Sequence, residues 1–433
     1  MATPAFVRLP GFRDFAPEEM AVRTHIFDAW KSVARRYAFR EYDGPPLESL
    51  DLYVEKSGEE IVGQLYAFTD RGDRQVAMRP EMTPSLARIL AERSRAMPKP
   101  IRWFSTPQLF RYERQQRGRL REHFQWNVDI VGESGVAADA EVLAVALDGL
   151  KALGLGPDDV RARVSDRRLL SAVLSGAGVA ADRLTAAYAV IDKVERQTRE
   201  RSLQRLVDEV ALDADQAESI LALIEGPGLD RVREAFPDDA DVSEALDRFD
   251  EYLGLMDSLG FGPYVDVDLR IVRGLAYYTG IVFEVFDARG ELRAVCGGGR
   301  YDRLLELVGG PPLPAVGFGM GDVVLTELLR DLGRLPDPSP HVDYFIAIIG
   351  EALRPQALEL ARRLRDAGHS VAYPLKRQAV RKQFKAAETE GAREVVVLAP
   401  DEVARGEAVV RDMRSGGERT VALENIGEAA RDG

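Results

Sequence analysis

Two blocks of strand-like sequence stand on either side of a long helical tract, and this interruption limits the fold more than any other feature of the 433-residue chain. Before it, residues 65–69 and 75–78 alternate as strands joined by the turn Asp70-Arg71-Gly72-Asp73, and residues 101–113 and 124–131 read as two more strands around a polar, arginine-rich loop. From about residue 167 to 259 the chain is rich in Ala, Leu, Asp, Glu and Arg at helical spacing, with few β-branched runs. Strand patterns then resume at 264–270 and 280–286, and the turn 287–290 leads into 291–296. The tract reads as a mainly helical insertion. Helices are expected at 17–37, where Pro17 suits the first turn, at 138–153, stopped by Gly154, and at 323–332 after a short strand at 315–318. Pro336, Pro338 and Pro340 mark residues 332–341 as a linker. Beyond it, strands at 344–349, 370–374 and 395–398 alternate with helices at 351–367 and 380–390, a βαβαβ order that indicates a small α/β domain at 342–433.

The bulk properties exclude several classes. No apolar run is long enough to span a bilayer, and residues 1–15 have no apolar signal region, so a cytoplasmic protein without membrane association is expected. Cys296 is the only cysteine, which rules out an intramolecular disulfide, and four scattered histidines give no zinc spacing. The net charge of −13 argues against a general coat of nucleic acid, so any RNA contact must come from local basic patches.

Two such patches exist. Arg111, Arg114, Arg117, Arg119 and Arg121 lie within eleven residues, and strand alternation would put Arg111 and Glu113 on one face. Guanidinium forks suit phosphate oxygens, and Glu113 can accept from an exocyclic amine. Lys376, Arg377, Arg381, Lys382 and Lys385 cluster at the start of a helix, as RNA phosphates would require. Met78-Arg79-Pro80-Glu81-Met82-Thr83 brings a carboxylate and a hydroxyl to a strand end; the plainer alternative is that Thr83 caps a helix. Arg273-Gly274-Leu275-Ala276-Tyr277-Tyr278-Thr279-Gly280 suggests a tight loop with aromatic walls, or equally core packing. The glycines of 297–299 permit close approach of a ligand or a crowded strand crossing. Gly317-Phe318-Gly319-Met320-Gly321 fails the spacing of a dinucleotide fingerprint, and no Walker A sequence is present.

Taken in order from Pro10-Gly11-Phe12-Arg13-Asp14 to about Leu423, these motifs resemble the histidyl-tRNA synthetases, members of the class II aminoacyl-tRNA synthetases. Residues 41–48 resemble the class II dimer motif, 110–132 the second motif, 273–284 and 296–302 the two histidine signatures, and 314–325 the third motif. Lys382-Gln383-Phe384-Lys385 and residues 402–406 resemble the anticodon-binding domain. The resemblance implies an α+β fold: a class II antiparallel sheet with helices over 1–331, the helical insertion within it, and a C-terminal α/β anticodon-binding domain. It implies a homodimer that activates L-histidine with ATP, magnesium accompanying the ATP, and transfers histidine to tRNA. Arg111 and Arg273 would be catalytic on the α-phosphate and, with Glu113 on adenine, would bind ATP. Glu81, Thr83, Gln125 and Asp129 would hold histidine, and Tyr277 and Tyr278 would enclose its ring. Gln116, Arg117 and Arg119 would meet the acceptor end of tRNA, and Lys382 and Lys385 its anticodon side. Three positions depart from the pattern: Ala276 replaces Asp, Asp129 replaces Glu, and Val324 replaces the ATP-binding arginine of the third motif, for which Arg300 is a candidate substitute. A non-catalytic paralogue, like the regulatory subunit of ATP phosphoribosyltransferase, is the alternative; the retained Arg111, Glu113 and Arg273 favour the ligase.

Overall fold

The computed structural model describes residues 6–57, 59–114, 116–226, 228–272, 278–337 and 341–427. The chain forms two compact units, residues 1–336 and 337–433.

The first unit is built on a nine-stranded sheet among the described residues. Its central six strands run antiparallel in the order Ile101–Ser105, Glu122–Val131, Ala315–Gly321, Cys296–Arg300, Ile281–Asp287 and Val160–Asp166. Arg40–Glu41 and Val265–Val267 close the two edges in parallel register, and Gln108–Phe110 pairs with the start of Glu122–Val131. Strands from before and after the helical tract therefore share one sheet. A small antiparallel sheet of Leu47–Ser49, Gln75–Met78 and Ala67–Thr69 lies apart from it.

One sheet face is covered by Pro17–Arg36, Val136–Ala152 and Ala240–Ser258, which share a core with the helical tract. Strand alternation explains which residues enter it. Trp126, Val128 and Ile130 point into this core, with the Trp126 ring stacked on Trp30 at 5.9 Å. Gln125, Asn127 and Asp129 are left on the opposite face. The tract itself holds six α-helices among the described residues, from Arg167–Gly176 to Ala240–Ser258, as its composition predicts.

Two expectations need correction, and one strand was not anticipated. Residues 101–113 are not one strand: the chain breaks at Thr106-Pro107, because Pro107 has no N–H for a ladder, and resumes as Gln108–Phe110. Arg111 and Glu113 therefore lie past the strand end rather than alternating along it. Residues 291–296 are not a strand either. The Asp287 carboxylate accepts from the backbone N–H groups of Glu291 and Leu292 at 3.0 and 2.9 Å, holding a loop, and the triple glycine supplies the strand Cys296–Arg300. Val160–Asp166 is a strand that the sequence reading passed over. Its outward Arg161 and Arg163, paired with Asp266 and Asp268, hide the apolar alternation of Val160, Ala162 and Val164.

The second unit carries a five-stranded sheet among the described residues, with Val371–Ala372, Val342–Ile348 and Ala392–Leu398 parallel. Helices Arg354–Asp366 and Val380–Thr389 pack against it. Glu407–Asp412 and Glu418–Ala422, which the sequence reading did not identify, extend the sheet antiparallel. Among the described residues, no helix of either unit is long and apolar enough to cross a membrane.

Candidate active site

Gln125 and Asp129 owe their position to the glycines on the neighbouring strand. Gly317 pairs with Asp129, and a Cβ there would lie 2.2 Å from Asp129 Oδ1; a Cβ on Gly319 would lie 2.7 Å from Gln125 Cδ. Side chains at either position would fill the space these polar groups occupy, so the glycines that mimic a dinucleotide fingerprint make room for Gln125 and Asp129. Tyr301 donates its hydroxyl to Asp129 Oδ1, and the Tyr278 ring stands edge-on to Tyr301 at 6.3 Å. Asp129 is buried, and nearby Tyr42, half-buried with its hydroxyl shut away from solvent, has that hydroxyl pushed well above the usual range by burial and then by the carboxylate.

Glu81 and Thr83 enter from the segment that follows Gln75–Met78. Thr83 opens the helix Thr83–Arg93, whose cap position is Met82, so the plain reading of Thr83 as a cap is not realised. Buried Arg79 fastens this segment by donating to Asp43 Oδ1 at 2.6 Å, to the Gly44 carbonyl at 2.8 Å and to the Gln108 carbonyl at 3.0 Å. Arg111 Nε donates to the Pro80 carbonyl at 3.1 Å. The arginine proposed for phosphate is thus tied to the segment proposed for the amino acid.

Beyond Arg111 opens a cavity of about 910 Å³. It is lined by Arg111, Glu113, Arg119 and His123, by Arg270, Glu284, Phe286 and Arg293, by Gly321 and Val324, and by Asp192, Glu195 and Arg196 of the helical tract. Arg111 has no carboxylate partner among the described residues, whereas Glu113 is held by Arg119 at 2.7 Å. Burial pushes the Arg119 guanidinium down, Glu113 opposes this, and the like charges of Arg293 and Arg111 add to it. His123 is pushed down to about 3 by burial and then by Arg111 and Arg13, so its imidazole is neutral. Arg13 binds Glu122 Oε1 at 2.6 Å and Asp322 Oδ2 at 2.8 Å, while Asp322 Oδ1 accepts from the Phe124 N–H at 2.8 Å. This buried network fixes the start of the central strand against the start of the helix Asp322–Asp331.

The remaining sequence candidates divide. Arg273 and Tyr277 lie outside the described residues. Gln116 bridges to Arg119, and Arg117 is paired with Glu327 and Asp331 at 3.2 and 2.7 Å. Arg119 lies on the cavity wall. In the second unit, Gln383 clamps its helix to Ile348 through two hydrogen bonds of 2.8 and 2.9 Å, which leaves Lys382 and Lys385 exposed. Arg300 does not substitute for the third-motif arginine. It is fully buried, bound to Asp139 at 2.7 Å and to the Glu133 and Gly135 carbonyls, and does not line the cavity. Arg293, His123 and Arg270 were missed by sequence reasoning. Their signal, single polar residues in loops and strand ends, is indistinguishable from ordinary surface until the sheet brings them together.

The profile described as histidyl-tRNA synthetase matches residues 11–322, and that described as anticodon binding domain matches residues 343–432. The chain is 41% identical to the histidine–tRNA ligase of Opitutus terrae over 100% of this chain and 99% of that protein. It is 38% identical to the chloroplastic/mitochondrial histidine–tRNA ligase of Arabidopsis thaliana over 96% of this chain and 85% of that one. The crystal structure of histidyl-tRNA synthetase from Nostoc sp. PCC 7120 superposes with a TM-score of 0.85 at 23% identity, covering 98% and 99% of the two chains, a likeness of fold. With full-length agreement in sequence and both profiles in the expected order, this chain belongs to the histidyl-tRNA synthetase family.

Proposed function

We propose that this histidine–tRNA ligase forms histidyl-adenylate between the Gln125–Asp129 strand and the Arg111 cavity, then passes histidine to tRNA. The observation that carries the reading is the Arg111 link: a guanidinium without a carboxylate partner among the described residues faces the cavity and is fixed to the Glu81–Thr83 segment through Pro80. Glu81 and Thr83 would take the amino group of histidine, and Gln125 and Asp129 its imidazole, with Tyr277 and Tyr278 along the ring. A ring nitrogen read by a buried carboxylate gives strong discrimination, since an analogue without it leaves that carboxylate unpaired.

The histidine carboxylate oxygen attacks the α-phosphorus of ATP; the new P–O bond forms as the bond to the bridging oxygen breaks and pyrophosphate leaves. Charge grows on the α-phosphoryl oxygens, where Arg111 and Arg273 would stabilise it by position alone. Glu113, held by Arg119, would accept from the adenine amine. Magnesium bound with ATP would neutralise phosphate charge, and Glu284 on the cavity wall is a hard oxygen donor of the kind it takes beside phosphates and water. A terminal ribose hydroxyl of tRNA then attacks the histidyl carbonyl and releases AMP. Gln116 and Arg117 would approach the acceptor end, and Lys382 and Lys385 of the 342–433 domain the anticodon side. The single cysteine, buried Cys296, suits a cytoplasmic protein, and exposed Leu47 and Phe68 on the small sheet suit a homodimer. Removing residues 337–433 is expected to weaken tRNA charging at least tenfold while sparing adenylate formation. Unchanged charging would remove the C-terminal domain from the account.

A further inference from the structure

ATP brings a chain of phosphates, and Arg111 can satisfy only part of it. The third motif, which should supply another guanidinium, presents Val324 to the cavity. The loop before Cys296–Arg300 fills the same place from another direction. Cys296 pairs with Met320, and the Gly321 N–H reaches the Val295 carbonyl at 3.4 Å, so residues 293–295 run beside the start of the helix that carries Val324. Above the Gly118 Cα, a single point lies 3.1 Å from Val324 Cγ2 and 3.9 Å from Arg293 Cδ. The Arg293 stem and the valine that replaces an arginine thus both border the same spot beside Gly118, and both line the cavity.

Its charge is available. Arg270 is tied to Asp268 at 2.8 Å, and Arg119 to Glu113 at 2.7 Å. Arg293 has no ion pair among the described residues and is exposed. Its positive charge acts on Arg119 alongside that of Arg111, and all three guanidinium groups line one cavity, where Glu113 is the carboxylate that acts on Arg119. Like charges held together in this way need an anion. Arg196 also lines the cavity, but it projects from the helical tract and is not among the charges that act on Arg119.

We propose that Arg293 binds the β- and γ-phosphates of ATP in place of the arginine absent at Val324. This rests on the ligase reading and adds a residue to it. A guanidinium can serve from either backbone position, because a phosphate recognises the fork and not the chain that delivers it.

The test is histidine-dependent exchange of pyrophosphate into ATP, with ATP and histidine varied separately, in the parent, Arg293→Ala, Arg293→Lys and the double variant Arg293→Ala/Val324→Arg. ATP binding to each is measured in parallel by calorimetry, and unfolding by circular dichroism. Arg293→Ala is expected to raise the KM for ATP at least tenfold, with the KM for histidine within twofold and unfolding unchanged. Arg293→Lys should recover less than half of the loss, and Val324→Arg should recover most of it in the alanine background. A KM and affinity for ATP within twofold of the parent in Arg293→Ala would overturn the proposal, as would equal losses for ATP and histidine. Failure of the parent to exchange would count against the ligase reading, and the calorimetric comparison would still decide whether Arg293 holds the nucleotide.

Discussion

Arg300 and Arg111 belong to the same unit and differ in one respect: the number of acceptors around them. Arg300 is fully buried, with Asp139, Asp302 and two backbone carbonyls taking its N–H groups. Arg111 donates to one carbonyl and opens onto a cavity. A guanidinium whose acceptors are complete holds the protein together; one whose acceptors are missing awaits a ligand. The contrast separates architecture from chemistry among arginines that the sequence presents alike.

The largest effect expected from breaking it is on stability. Arg300→Ala would leave the Asp139 carboxylate buried without its partner and should cost about 3–5 kcal/mol, read by denaturant unfolding of the first unit. A loss below about 1 kcal/mol would mean that water or Arg248, 3.8 Å from Asp139, replaces it. Arg111→Ala should behave oppositely. Exchange should fall by about 10²–10³ in kcat, equivalent to about 3–4 kcal/mol of transition-state stabilisation, with the unfolding midpoint unchanged. A shifted midpoint with normal kcat would move Arg111 into the architectural class.

The smallest effect sharpens the buried side. Asp166 lies near this cluster, fully buried, with Oδ2 lacking a hydrogen-bond partner among the described residues and Oδ1 accepting from Arg168 N. Burial raises its pKa from 3.8 to about 6, against the pull of the Arg168 N–H and of Arg248. The folded protein therefore keeps this proton over a range in which the unfolded chain has lost it. Stability should fall as pH rises from about 4 to about 6, by roughly 1–3 kcal/mol, and Asp166→Asn should flatten that slope. An unaltered slope in the variant would mean that Asp166 is ionised when folded.

Much of this was legible in the sequence, and the reasons are local. Helical spacing outlined the insertion, and the strands around it kept their alternation. Arg111, Glu113, Gln125 and Asp129 stood close together in one segment. The rest depended on long-range pairing. Nothing local says that Gly317 faces Asp129, that 297–299 is a strand, or that Arg293 and Val324 line one cavity, because each follows from sheet register between distant residues. Arg300 was misjudged for the same reason: its partner Asp139 lies 161 residues away.

The central claim is that the guanidinium groups lining the Arg111 cavity, together with Gln125 and Asp129, activate histidine. Pyrophosphate exchange into ATP with each of the twenty amino acids tests it most directly. The account predicts exchange with L-histidine alone, at least a hundredfold above any other. Exchange with a different amino acid, or none with histidine while ATP still binds, would contradict it.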